Sequence, residues 1–132
     1  MGQPKIRVVS AEIQRDGLYL LTQRPPHAVL PSLWEFPGGR VRDGDTDQQT
    51  LQRALLQRIG CEATVGEPLM EVTHPYEHYD LTLVVYRCDI GSCEPSPESV
   101  AAVEWVAPED FGNYPFPGAD QKTVDALLSS GA

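Results

Sequence analysis

Four of the chain's 10 Lys and Arg residues, Arg40, Arg42, Arg53 and Arg58, fall in one short stretch, 34–61 (WEFPGGRVRDGDTDQQTLQRALLQRIGC). The chain as a whole carries a formal net charge of −9. Against that background the cluster is a candidate anion site, because guanidinium groups make paired hydrogen bonds to phosphate oxygens. For Arg40 and Arg42 a second reading stays open, that of solvated loop charges. Another group of chemistry-bearing residues lies in 73–79 (THPYEHY), where His74, Glu77 and His78 are zinc-ligand types. Pro75 prevents a regular helix from setting both histidines on one face. Two further readings are an aromatic-rich loop over a pocket and an exposed hairpin.

The arginines need an element to hold them, and the sequence supplies one. Thr46 is a good N-cap, and Gln49 three residues later completes a capping-box pattern. Leu51, Leu55 and Ile59 recur at helical spacing and predict a core-facing stripe. Gly60 supplies the left-handed residue that ends the helix. Positions 54, 57 and 58 are three and four residues apart, so they share a face. That face carries a methyl (Ala54), a neutral amide (Gln57) and a guanidinium (Arg58).

The same stretch resembles the signature of the Nudix hydrolases, and its Trp34-Glu35-Phe36-Pro37-Gly38-Gly39 is similar to the MutT-type nucleotide pyrophosphohydrolases. Without a gap, the family's first Gly falls on Gly39, its Glu on Asp45, its Arg on Arg53, its closing Gly on Gly60 and its last apolar residue on Cys61. The three helical glutamates that hold magnesium in the family fall on Ala54, Gln57 and Arg58. Carboxylates there would present hard oxygen ligands to magnesium or manganese, and the metals would activate the attacking water. The resemblance therefore implies a scaffold whose metal-holding groups are replaced. Gly38, Asp45, Arg53 and Glu98 remain as alternative metal-site or catalytic residues. Glu98 matches a further family glutamate before Trp105, or else is a solvated loop charge.

By the same resemblance the base of a nucleotide lies between the early strands and the C-terminal segment. Phe36 is the implied stacking surface, and Gly38 and Gly39 line the site. Arg24 (in LTQRPPH) and Tyr76 are implied to bind the ligand, and guanidinium chemistry adds Arg53 and Arg58 as candidates for direct phosphate binding. Asp120 takes the position of the family's base-reading amide. It is also a candidate N-cap of the last helix, the reading that local sequence favours. An ionised Asp only accepts hydrogen bonds, whereas Asn also donates.

The chain's 132 residues suit one domain spanning 1–132, with 41% hydrophobic residues to fill its core. The acidic balance argues against generic nucleic-acid binding and against an anionic membrane surface. No apolar run is long enough to span a bilayer. Cys61, Cys88 and Cys93 have no paired or metal-ligand spacing, which predicts reduced thiols and a cytoplasmic location. Strands are predicted at 5–13 and 18–22, joined as a hairpin by Arg15-Asp16-Gly17. A Pro-containing loop follows at 23–32, then a short strand at 34–36. Further strands are predicted at 69–73, 81–89 and 100–106, with a polar loop at 90–99 and a final helix at 119–128. The near-continuous apolar run of 81–89 predicts a strand buried on both faces. This order indicates an α+β domain. The resemblance makes it the Nudix fold, an α/β/α sandwich with a mixed β-sheet between helices.

Three functions compete. The preferred reading is a MutT-like protein of the oxidised-guanine or pyrimidine nucleotide class that retains a nucleotide or phosphate-ligand site, with hydrolysis lost or very weak. The second is an active pyrophosphohydrolase using magnesium held by Asp45 and Glu98. The third is a recognition module similar to the C-terminal domain of MutY-type adenine glycosylases. Against that third reading stand the chain's own Met1, the absence of a glycosylase segment and the acidic charge. A homodimer is an assembly common among relatives.

Overall fold

The computed structural model describes residues 3–28 and 31–130, with side chains up to residue 126. In chain order the strands are β1 (Lys5–Glu12), β2 (Gln14–Arg15), β3 (Leu18–Gln23), β4 (Trp34–Glu35), β5 (Gly38–Arg40), β6 (Thr64–Pro75), β7 (Asp80–Asp89) and β8 (Ala102–Val106). Helix α1 (Asp47–Ile59) follows β5, and a 3-10 turn (Pro108–Asn113) leads into α2 (Gly118–Ser130). Part of the loop predicted at 23–32 lies outside the described residues.

The main sheet runs β5-β1-β7-β6 and is mixed, because β1 lies parallel to β7 and antiparallel to β5. Alternation along β1 sends Val9 and Ala11 to one face, where they pack with Leu51, Leu55 and Ile59 of α1. Val8 points to the opposite face, with Leu83, Val85 and Ala119 of α2. The sheet therefore lies between the two helices, as expected of the Nudix fold. The middle of β7 is buried on both faces, with Val84 on the α1 side and Leu83 and Val85 on the α2 side.

The structure corrects two expectations. The predicted hairpin of 5–13 with 18–22 shrinks to two residue pairs, Gln14↔Tyr19 and Arg15↔Leu18. Both edges of β1 are taken by β5 and β7, so β3 pairs instead with β2, β4 and β8 in a second sheet. The thiols are the other correction. Cys61 and Cys93 form a disulfide, with Cα atoms 5.9 Å apart. Their separation of 32 residues hides this proximity; the loop after β7 folds back on the end of α1 and creates it. Cys88 is the free cysteine, buried, and burial pushes its thiol pKa up to about 12.

No helix among the described residues is long and apolar enough to cross a membrane.

Candidate functional site

The glycine pair lets β5 lie close to β1 and to α1. A Cβ on Gly38 would stand 2.0 Å from the Val9 carbonyl oxygen, and one on Gly39 would stand 3.1 Å from Ala54 Cβ. Only hydrogen fits at Gly38, so β5 lies tight against β1 and delivers Arg40 to a cavity of about 320 Å³. Gly38 and Gly39 line that cavity too.

Helix α1 is fixed as its sequence predicts. Thr46 Oγ1 accepts from the Gln49 N–H, and Gln49 Oε1 accepts from the Thr46 N–H, both at 3.1 Å. Gly60 closes the helix at φ 73°. Its three box positions then separate. Ala54 is buried against Gly39, Gln57 faces solvent, and Arg58 is half-buried and lines the cavity. Arg53 and Asp45 pair at 2.8 Å. Neither they nor Glu98, whose carboxylate accepts from Ser96 Oγ at 2.6 Å, belong to the cavity lining.

The opposite wall comes from β4 and the first turn of α2, and it is acidic. Arg24 Nη1 meets Glu35 Oε1 at 3.0 Å, and the Glu35 side chain is only 15% exposed. Burial raises the Glu35 pKa, against the lowering pull of Arg24 and then Arg58. Asp120 is 8% exposed. Burial, then the charge of Glu35, lifts its pKa well above the usual carboxylate range. Since α2 starts at Gly118, Asp120 sits inside the first turn rather than before it. This corrects the N-cap expectation: the residue lies within the helix, with its carboxyl buried near Glu35 and Arg24. The Ser10 Oγ, buried in the cavity wall, has no hydrogen-bond partner.

Phe36 lines the cavity, but its ring is 1% exposed and stacks on Phe116 at 6.2 Å, so it offers no open platform for a base. The aromatic rings bordering the cavity with more freedom are Tyr76 and Tyr79, 5.1 Å apart. The Tyr76 hydroxyl accepts from the Ala119 N–H at 3.1 Å, tying the β6–β7 turn to α2. His74 packs on Gly118 and Tyr76, and burial holds its pKa below the usual histidine range. His78 and Glu77 stay exposed, 3.8 Å apart.

Family comparison agrees with this architecture. The NUDIX domain model matches residues 8–126. The chain belongs to the Nudix family. A CTP pyrophosphohydrolase of Escherichia coli is 35% identical over 125 residues, covering 94% of this chain and 92% of that protein. An 8-oxo-dGTP diphosphatase of Haemophilus influenzae is 31% identical, covering 95% and 93%. The solution structure of the E. coli ORF135 protein superposes with a TM-score of 0.82 at 32% identity, covering 98% of this chain and 93% of that one. The chain is thus a MutT-like Nudix protein, resembling the pyrophosphohydrolases of that family.

The divalent metal that Nudix hydrolases use does not fit the residues at this helix. Among the described residues no group of three or more His, Cys, Asp or Glu could hold a metal ion. Arg58 brings a cation to this end of the helix, and Asp45 and Glu98 already have partners.

Sequence reading missed Glu35. Its signal was legible: a carboxylate between Trp34 and Phe36 in an otherwise apolar strand, on the opposite side from both by period-two alternation.

Proposed function

We propose that this Nudix protein binds a nucleotide in the cavity between α1 and α2, and that metal-dependent hydrolysis is lost or very weak. One observation carries the reading: a single cavity is lined by guanidinium from Arg40 and Arg58 and by the buried carboxyls of Glu35 and Asp120. Arg40 and Arg58 suit phosphate oxygens. A protonated Asp120 offers an acceptor and a donor side by side. That pattern complements an exocyclic amine next to a ring nitrogen, the edge that cytosine presents. The similarity to a CTP pyrophosphohydrolase supports a pyrimidine of this kind, and the unpartnered Ser10 hydroxyl is a further contact for the ligand. Arg24 holds Glu35 in place, and Tyr76 and Tyr79 border the cavity as aromatic surfaces.

Loss of hydrolysis is supported by the donor set. Removing one group that stabilises developing charge costs roughly a hundred- to a thousandfold in rate, and three family glutamates are replaced here. Calorimetry with CTP, UTP and GTP in EDTA tests the binding. CTP should bind most tightly, and Arg58→Glu should weaken it about tenfold. Equal, weak binding of CTP by wild type and variant would remove the proposal. Rapid pyrophosphate release by the wild type with magnesium or manganese would overturn its second half. Salt-sensitive binding to lesion-containing duplex DNA, with no nucleotide binding, would favour the recognition-module reading instead.

A further inference from the structure

The loop between β7 and β8 is fastened at two ends to different parts of the molecule. At one end Arg15 of β2 donates to the carbonyl oxygens of Gly91 and Cys93, both at 2.9 Å, and its guanidinium lies 4.8 Å over the Trp105 ring. That end belongs to the second sheet. At the other end the Ser96 N–H donates to the Ile59 carbonyl and the Glu98 N–H to the Arg58 carbonyl, each at 3.0 Å. These carbonyls belong to the last turn of α1, which has no intrahelical partners for them. The Cys61–Cys93 disulfide is the covalent link across this joint, one residue beyond Gly60.

We propose that Cys61–Cys93 is a thiol-reducible latch that holds the C-terminal turn of α1, and with it Arg58, in the arrangement that lines the cavity. Cys61 is fully buried and Cys93 is half-exposed, so attack is assigned to the Cys93 sulfur. A small thiolate forms a mixed disulfide with Cys93 and expels the Cys61 thiolate, which takes a proton. A second thiol then releases the Cys93 thiol and leaves as the reagent's own disulfide, so two electrons pass from two small thiols to the bridge. After reduction Arg15 still grips residues 91–93. The loop stays with the second sheet while only hydrogen bonds hold it to α1, and the last turn loosens. For its effect on ligand binding this proposal rests on the nucleotide reading above; for the latch itself it does not.

The test is residue-resolved hydrogen exchange of wild type and Cys93→Ser, with and without dithiothreitol, beside CTP calorimetry in EDTA. Reduction should speed exchange of the Ser96 and Glu98 amides by about tenfold or more and weaken CTP severalfold. Cys93→Ser should match the reduced wild type in either buffer. Unchanged exchange at those two amides overturns the latch. So does finding all three cysteines alkylated in unfolded protein that was purified and stored without reductant. Faster exchange with unaltered CTP affinity overturns its coupling to the cavity. If oxidised wild type binds no nucleotide, the functional reading fails while the exchange result still decides the latch.

Discussion

The two walls of the cavity have diverged from each other in opposite electrostatic directions. On the wall formed by α1 and β5 the capping box, the glycine pair and Gly60 are in place, and the residues facing the cavity include no carboxylate and two cations, Arg40 and Arg58. On the β4–α2 wall two carboxyls are buried together, with Arg24 paired to one of them. On the first wall the caps and glycines hold their geometry with Ala54, Gln57 and Arg58 on the helix, because caps and glycines act independently of surface charge. The second shows where the protein still accepts an electrostatic cost. Buried carboxyls that merely filled space would be replaceable by apolar groups at a gain in stability.

The largest expected effect comes from erasing the contrast. Restoring Gln57→Glu and Arg58→Glu, then adding Ala54→Glu, should raise magnesium-dependent pyrophosphate release by about a hundredfold or more. No gain in a coupled pyrophosphate assay would mean that the cavity lacks more than metal ligands. The third change carries a packing cost, since Ala54 lies buried against Gly39. Thermal melting should show it as a loss of about 1–3 kcal/mol.

Next in size is Gly38→Ala. It should cost roughly 2–3 kcal/mol in urea unfolding, because its Cβ would collide with the Val9 carbonyl. A neutral result would show that β5 can retreat from β1.

Asp120→Asn probes the acidic wall. Its folded-state pKa is raised above that of an unfolded aspartate, so its contribution is most favourable in acid and declines as pH rises through the raised value. The variant should be more stable than wild type at pH 8 by about 1 kcal/mol, with the gain vanishing near pH 4. It should also bind CTP more weakly. A variant destabilised equally at both pH values would indicate that Asp120 is held as an ordinary structural group.

The smallest effect belongs to Asp47, outside the cavity. Arg7 donates to it at 2.6 Å and 2.9 Å, and Tyr86 at 2.6 Å, which lowers its pKa. Its stabilisation is present above the ordinary aspartate range and lost as pH falls through the lowered value. Asp47→Asn should cost under about 1 kcal/mol at neutral pH and nothing in strong acid. Urea midpoints across that range check it.

What could be read in advance followed the range of the interactions. Thr46, Gln49 and Gly60 act within one helical turn, so their roles in α1 were legible from spacing. Glu35 and Asp120 lie far apart in the chain, and nothing in either neighbourhood announces that burial joins them. Phe36 was legible as part of the site, but its stacking on Phe116 depends on how the C-terminal run folds across β4. The change of sheet after β1 was hidden for a similar reason: which strand takes an edge depends on every other strand competing for it.

By itself the sequence determined the helix, its caps and the side-chain types at positions 54, 57 and 58. Each of these is set by local backbone preference or by side-chain type. Only the tertiary structure decided that Cys61 meets Cys93, that Arg58 and Asp120 share one cavity, and that the Phe36 ring is closed off. Those facts depend on distances between segments remote in the chain, which packing of the whole core fixes and no local pattern encodes.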